Sequence, residues 1–271
     1  MKLAATMNAF PGGGGPIIFT DGNVRANVET MVKYGFTGAD LFIEGVPEST
    51  IMEYKNIFES NGAQVATLFA IYLGQNGVSL AEKDKEKSIK NKALFKAQLE
   101  NAKRIGALGL GLGYIRGRYG DNETEADALC RIADALHELG EYAEEIGTKI
   151  LLEPINRYEI NTLNVASDAV DFIYNNKLVG VQLCLDLFHM NIEDQSIEGS
   201  IRKAKGLIGG IHTPDSNRYA AGDGHFDYPP IIEALRDADY DGFLTLEAFP
   251  RNKDDIERTL KQSAEVLGAL L

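Results

Sequence analysis

Four ionisable side chains interrupt short apolar runs in the second half of the chain. Glu153 stands in Lys149-Ile-Leu-Leu-Glu-Pro-Ile155 and Asp186 in Val181-Gln-Leu-Cys-Leu-Asp-Leu-Phe-His189. His212 stands in Gly209-Gly-Ile-His-Thr-Pro-Asp215 and Glu247 in Phe243-Leu-Thr-Leu-Glu-Ala-Phe249. A charge inside such a run is costly unless it is paired or binds a cation. Any one of the four reads as a buried, hydrogen-bonded polar group. Together, at successive spacings of 33, 26 and 35 residues, three carboxylates and an imidazole form a donor set for one hard or borderline divalent ion. Mn²⁺ fits best, and Co²⁺ or Mg²⁺ also suit. A structural zinc would want thiolates or more histidines.

Each spacing is about one β/α unit, and the rest of the chain supplies the units. Strands are expected at Leu3–Asn8, Ala39–Ile43, Gln64–Tyr72, Ala107–Ile115, Lys149–Ile155, Val179–His189, Leu207–Thr213 and Phe243–Phe249. Each is short, apolar and bounded by Gly, Pro or polar residues. Helical patterns alternate with them at Asn23–Tyr34, Ser49–Asn61, Lys85–Ile105, Thr124–Ile146, Ser167–Asn176, Ile197–Lys205, Pro229–Ala238 and Asp254–Leu271. Gly106 and Gly147 follow two of them as C-cap signals, and Thr124 fits an N-cap. Strict alternation implies parallel strands with crossover helices. Eight units in 271 residues predict an α/β fold, a single (β/α)₈ TIM barrel domain over residues 1–271. An open dinucleotide-binding sheet would want G-x-G-x-x-G after its first strand; here Gly12–Gly15 and Pro16 follow it. Four glycines either let backbone pass close to a ligand or form a mobile surface loop. Chemistry in a barrel sits at the C-terminal ends of the strands, where the four ionisable side chains fall.

The segments around them carry a family resemblance. Glu153-Pro-Ile-Asn-Arg-Tyr-Glu159, Asp186-Leu-Phe-His-Met-Asn191, His212-Thr-Pro-Asp-Ser-Asn-Arg218 with Gly222-Asp-Gly-His225, and Leu246-Glu247 resemble the D-tagatose 3-epimerase/D-psicose 3-epimerase family of xylose-isomerase-like barrels. The resemblance is sharpest from about Lys149 to Pro250. It implies a sugar isomerase or epimerase that inverts the carbon next to a ketose carbonyl through an enediolate. It assigns Glu153, Asp186, His212 and Glu247 as metal ligands, and Glu153 and Glu247 also as the acid/base pair. Glu159, His189 and Arg218 match residues that hydrogen-bond the carbonyl end of the substrate. A homodimer or homotetramer is the assembly it implies. The chemistry is coherent: a Lewis acid stabilises the enediolate, inversion needs a base on one face and an acid on the other, and Arg218 and His189 can donate to developing negative charge.

Arg116-Gly-Arg118, directly after the fourth strand, stands apart from that pattern. Arg116 and Arg118 either lie in a solvated loop or clamp a carboxylate or phosphate on the substrate. The clamp would make the substrate a keto-uronate or a ketose phosphate in place of a neutral ketose. Asn156 and Arg157 are expected to brace the strand-five loop through Glu159. Asp215 and Asn217 should shape the turn after strand seven and His225 should brace the same loop, while His137 reads as a solvated helix residue.

Composition narrows the partners. With 40 acidic against 27 basic residues and a net charge of −13, the chain lacks the basic footprint of a nucleic-acid binder and the basic amphipathic helix of a membrane binder. A metal-dependent DNA-repair endonuclease on this barrel would need a basic face and more than the four histidines present. A non-catalytic sugar-binding barrel would not need two glutamates in the metal shell. Cys130 and Cys184, in a helix and an apolar strand, read as two buried thiols. No apolar run approaches about 18 residues, and no signal-peptide pattern opens the chain; the expected setting is cytoplasmic, and the expected partner a small-molecule sugar.

Overall fold

The alternation of short apolar runs with amphipathic ones becomes a closed barrel, in a computed structural model that describes residues 1–12, 14–252 and 255–271. Its strands pair in parallel and in chain order, with the eighth closing on the first. They are β1 (Lys2–Asn8), β2 (Phe36–Phe42), β3 (Gln64–Phe69), β4 (Gly109–Leu112), β5 (Lys149–Leu152), β6 (Val181–Asp186), β7 (Ile208–His212) and β8 (Phe243–Leu246). Around them lie α1 (Val24–Lys33), α2 (Glu48–Ser60), a short α3 (Tyr72–Gln75), α4 (Lys85–Ile105), α5 (Glu125–Ile146), α6 (Ala166–Asn175), α7 (Leu187–Glu193), α8 (Ile197–Lys203), α9 (Tyr228–Asp237) and α10 (Ile256–Gly268).

Helix α5 shows why the outer layer forms. Its buried residues Ala128, Ile132, Leu136, Leu139 and Ala143 recur every three to four positions, one apolar stripe of a 3.6-residue helix laid on the sheet. Thr124 caps it through a reciprocal capping box with Asp127. Helices α4 and α5 end as expected on Gly106 and Gly147, whose φ values of 84° and 74° lie in the left-handed region that glycine enters freely.

The strands are shorter at their C-terminal ends than the apolar runs suggest. β3 stops at Phe69 and not Tyr72, β4 at Leu112 and not Ile115, β5 at Leu152 and β8 at Leu246. The leftover apolar residues, including Ile71, Ile115, Ile155 and Phe249, wall a cavity beyond the barrel rim. β6 ends at Asp186, not His189: the Asp186 carboxylate accepts hydrogen bonds from the backbone N–H groups of Phe188 and His189 at 2.8 and 3.3 Å, and that cap starts α7. His189 therefore sits on a helix. β2 begins at Phe36, earlier than Ala39, and Pro47 rather than Ser49 precedes α2. Cys184 is buried, but Cys130 is exposed on α5, so only one thiol is interior. Gly13, within the glycine run, and Asp254, the expected start of the last helix, lie outside the described residues. Among the described residues no helix is long and apolar enough to cross a membrane.

Candidate metal centre and substrate cavity

Strand register brings the donors together. Asp186 and His212 are register partners on β6 and β7, Glu153 is the first residue past β5, and Glu247 the first past β8. All four are buried, and one ligand atom from each lies within 4.8 Å of the other three. The His212 ring organises the cluster. Its Nδ1 is 3.0 Å from Glu247 Oε2, 3.3 Å from Asp186 Oδ2 and 3.5 Å from Glu153 Oε1. Its opposite nitrogen, Nε2, lies 3.1 Å from Asp40 Oδ2 and 3.3 Å from Cys184 Sγ. Three buried carboxylates facing one imidazole nitrogen suit a divalent cation in both donor type and charge. The set could hold such an ion.

One further cation reaches the cluster. Arg218 Nη1 donates to both Asp186 oxygens at 2.6 Å, and its Nη2 donates to Glu247 Oε2 at 2.5 Å. The guanidinium rests 4.9 Å from the centroid of the Phe188 ring. Arg218 has φ +65°, a left-handed conformation uncommon for a residue with a side chain and typical of strained functional positions. Burial alone would raise the Asp186 carboxyl, but the Arg218 guanidinium, with His189 and His212, outweighs it and holds the group well below the usual range. Glu247 goes the other way: burial raises it, against the pull of His212 and Arg218. For His212, burial would lower the imidazole, but Cys184, Glu247, Asp186 and Asp40 around it raise it well above its ordinary value.

Two members of the cluster, Glu153 and Glu247, open onto a cavity whose two lobes share them with Tyr114, Gly15 and Pro16. The larger lobe, about 470 Å³, is walled by Ile17, Phe42, Phe69, Ile71 and Ile115, with Gln75 as a polar edge and Gly14 on the rim. Phe42 and Phe69 stack at 4.7 Å. The smaller lobe, about 370 Å³, carries Glu159, His189 and Arg218 beside Phe188 and Phe249. The Asn156 amide donates to Glu159 Oε1 at 2.8 Å and lies 2.8 Å from His189 Nδ1, and the Tyr114 hydroxyl donates to Glu159. His189 thus turns Nε2 toward Glu153, 3.9 Å away.

The arginine pair after β4 does not reach this cavity. Arg116 is fully buried, 0% exposed, and its guanidinium donates to the carbonyls of Gly113, Glu153, Thr162 and Leu163 at 2.7–3.3 Å. A turn at Tyr114–Arg116 swings it behind the strand-five loop as a structural strut. Arg118 is exposed and donates to the Glu159 carbonyl. Neither guanidinium lines either lobe of the cavity. Arg157 forks Glu193, not Glu159, at 2.5–3.0 Å. Asp215 shapes its turn by accepting from the N–H groups of Ser216, Gly222 and Phe226, and His225 Nδ1 lies 2.9 Å from Ser216 Oγ, bracing that loop. The residue the sequence did not single out is Asp40, 1% exposed in the middle of β2.

The chain belongs to the xylose isomerase-like TIM barrels, whose family model matches residues 28–270. Relatives within that class include sugar epimerases. It is 28% identical over 244 residues to D-psicose 3-epimerase of Agrobacterium fabrum, covering 89% of this chain and 84% of that one. It is 35% identical over 123 residues to 3-dehydro-D-guloside 4-epimerase of Escherichia coli, covering 45% and 47%. The apo crystal structure of 3-keto-D-glucoside 4-epimerase from E. coli shares the fold at TM-score 0.82 and 24% identity, over 99% of this chain and 100% of that one.

Proposed function

We propose that this protein is a divalent-metal-dependent epimerase that inverts the carbon next to the carbonyl of a neutral ketose or keto-sugar. The observation that carries the reading is the convergence of Glu153, Asp186, His212 and Glu247 from four consecutive strands into one buried cluster, two members of which, Glu153 and Glu247, line a cavity with one polar and one apolar lobe. Relatives named for a 3-epimerase and for a 4-epimerase fit a single chemistry, because in each the inverted carbon adjoins a carbonyl.

Glu153, Asp186, His212 and Glu247 would hold the ion, which supplies Lewis acidity to the carbonyl oxygen. Mn²⁺ matches three hard carboxylates and one imidazole. Glu153 and Glu247 come from different sides of the barrel, past β5 and β8, and both line the cavity, so two carboxylates would be available to the reacting carbon. One removes its proton and the other returns a proton to the opposite face, with roles exchanged in the reverse direction. Glu159, His189 and Arg218 bind the hydroxylated end beside the carbonyl, with Asn156 orienting the first two, while the apolar lobe takes the remaining carbon skeleton. An acidic sugar loses its support, because Arg116 and Arg118 are committed to backbone carbonyls. Free thiols at Cys130 and Cys184 fit a reducing compartment such as the cytoplasm.

Asp186→Ala tests the reading: metal content and epimerase activity should be lost together. Full metal occupancy with full turnover in that variant contradicts it.

A further inference from the structure

His212 can give Nδ1 to a cation only if the ring is held with its other nitrogen turned away and carrying the proton. The neutral imidazole has one N–H and one lone pair, and its second partner decides which nitrogen keeps the hydrogen. We propose that Asp40 is the positioning residue of the metal centre: it accepts the Nε2–H of His212 and so fixes Nδ1 as the donor. The proposal rests on reading Glu153, Asp186, His212 and Glu247 as a metal site.

Asp40 has no other employment that the structure shows. It lies at mid-strand in β2, 1% exposed. Its Oδ2 is 3.1 Å from His212 Nε2, and its Oδ1 takes no hydrogen bond from any described residue. Thr6, its register neighbour on β1, turns its hydroxyl to the Leu246 carbonyl at 3.2 Å. A carboxylate buried without Lys or Arg is costly, and the imidazole is the polar group that offsets it. The contact spans the barrel interior from β2 to β7, so it ties the ring to a strand that supplies no ligand. A carboxylate at the far nitrogen of a ligating histidine orients the ring and strengthens the donor. Cys184 Sγ, 3.3 Å from the same nitrogen, is a weak acceptor and adds packing.

Co²⁺ titration by calorimetry tests this on the protein, Asp40→Asn and Cys184→Ala. Asp40→Asn should weaken Co²⁺ binding roughly 10- to 100-fold while the metal-free variant still unfolds as one cooperative unit, and Cys184→Ala should leave affinity within about threefold. Unchanged affinity in Asp40→Asn, or an equal loss in both variants, overturns the proposal. If the unmodified protein takes up no Co²⁺, the metal reading itself fails. Nitrogen-15 NMR of the Zn²⁺-loaded unmodified protein decides the matter independently of any variant. The proton of His212 should reside on Nε2 and the metal on Nδ1; the reverse arrangement contradicts the role of Asp40.

Discussion

Arg218 Nη1 lies 2.6 Å from both carboxylate oxygens of Asp186, and the same guanidinium reaches Glu247. A residue on the loop after β7 therefore pairs with two of the three acids in the cluster. Removing one partner of a buried ion pair leaves uncompensated charge, at a cost of about 3–5 kcal/mol. Arg218→Met should lower the unfolding free energy of the metal-free protein by about that amount, and added Mn²⁺ should restore part of it by supplying the missing positive charge. Urea denaturation in a chelator and then in Mn²⁺ measures both. Equal stability of the variant and the unmodified protein in chelator contradicts the pairing.

Metal uptake should release protons. The carboxylates of Glu247, Asp186 and Asp40 favour a protonated His212 ring in the metal-free protein, whereas a ligand nitrogen must be neutral. About one proton should leave per ion bound at pH 7. Apparent affinity should fall as pH is lowered from there, and the release should vanish only above the raised value. Calorimetry in two buffers of different ionisation enthalpy reads the number directly; no release at pH 7 would be inconsistent with a charged His212.

Arg116 should matter for stability and not for substrate charge. Its loss strands the buried carbonyls of Glu153, Thr162 and Leu163, so Arg116→Met should cost about 3 kcal/mol or more in chemical denaturation. Arg118→Ala should change kcat/KM by less than about twofold, as for an exposed residue outside the cavity. A loss of kcat/KM confined to acidic sugars in either variant would restore the clamp.

The two thiols should differ sharply. Burial pushes Cys184 up to about 12, and only a thiolate reacts, while Cys130 is exposed. Ellman's reagent should titrate one thiol per native chain and two in denaturant. Two fast thiols in the native protein would contradict the burial of β6.

The convergence of the four candidate donors was legible because each closes an apolar run at the same place in successive β/α units, where a charge is costly unless a cation or a partner meets it. Asp40 is also a lone acid in an apolar run, but it sits at mid-strand, where the pattern does not say what faces it. Only the closed barrel puts β2 across from His212. Arg116 misled for a different reason. A position after a strand points toward the mouth only while the chain stays extended, and the turn at Tyr114–Arg116 reverses it. The apolar pattern likewise carried β6 through Leu187 and Phe188, because helix and strand bury the same residues; the Asp186 cap decides between them.

The central claim is proton exchange by Glu153 and Glu247 at the carbon beside a sugar carbonyl, and turnover in D₂O tests it most directly. The Mn²⁺-loaded protein, offered a panel of neutral ketoses and 3-keto-glycosides, should give an epimer carrying solvent deuterium at the inverted carbon. Glu153→Gln and Glu247→Gln should each reduce that turnover by at least about 100-fold, the scale of a lost acid or base. An epimer formed without solvent deuterium, or turnover that survives both substitutions, would contradict the account.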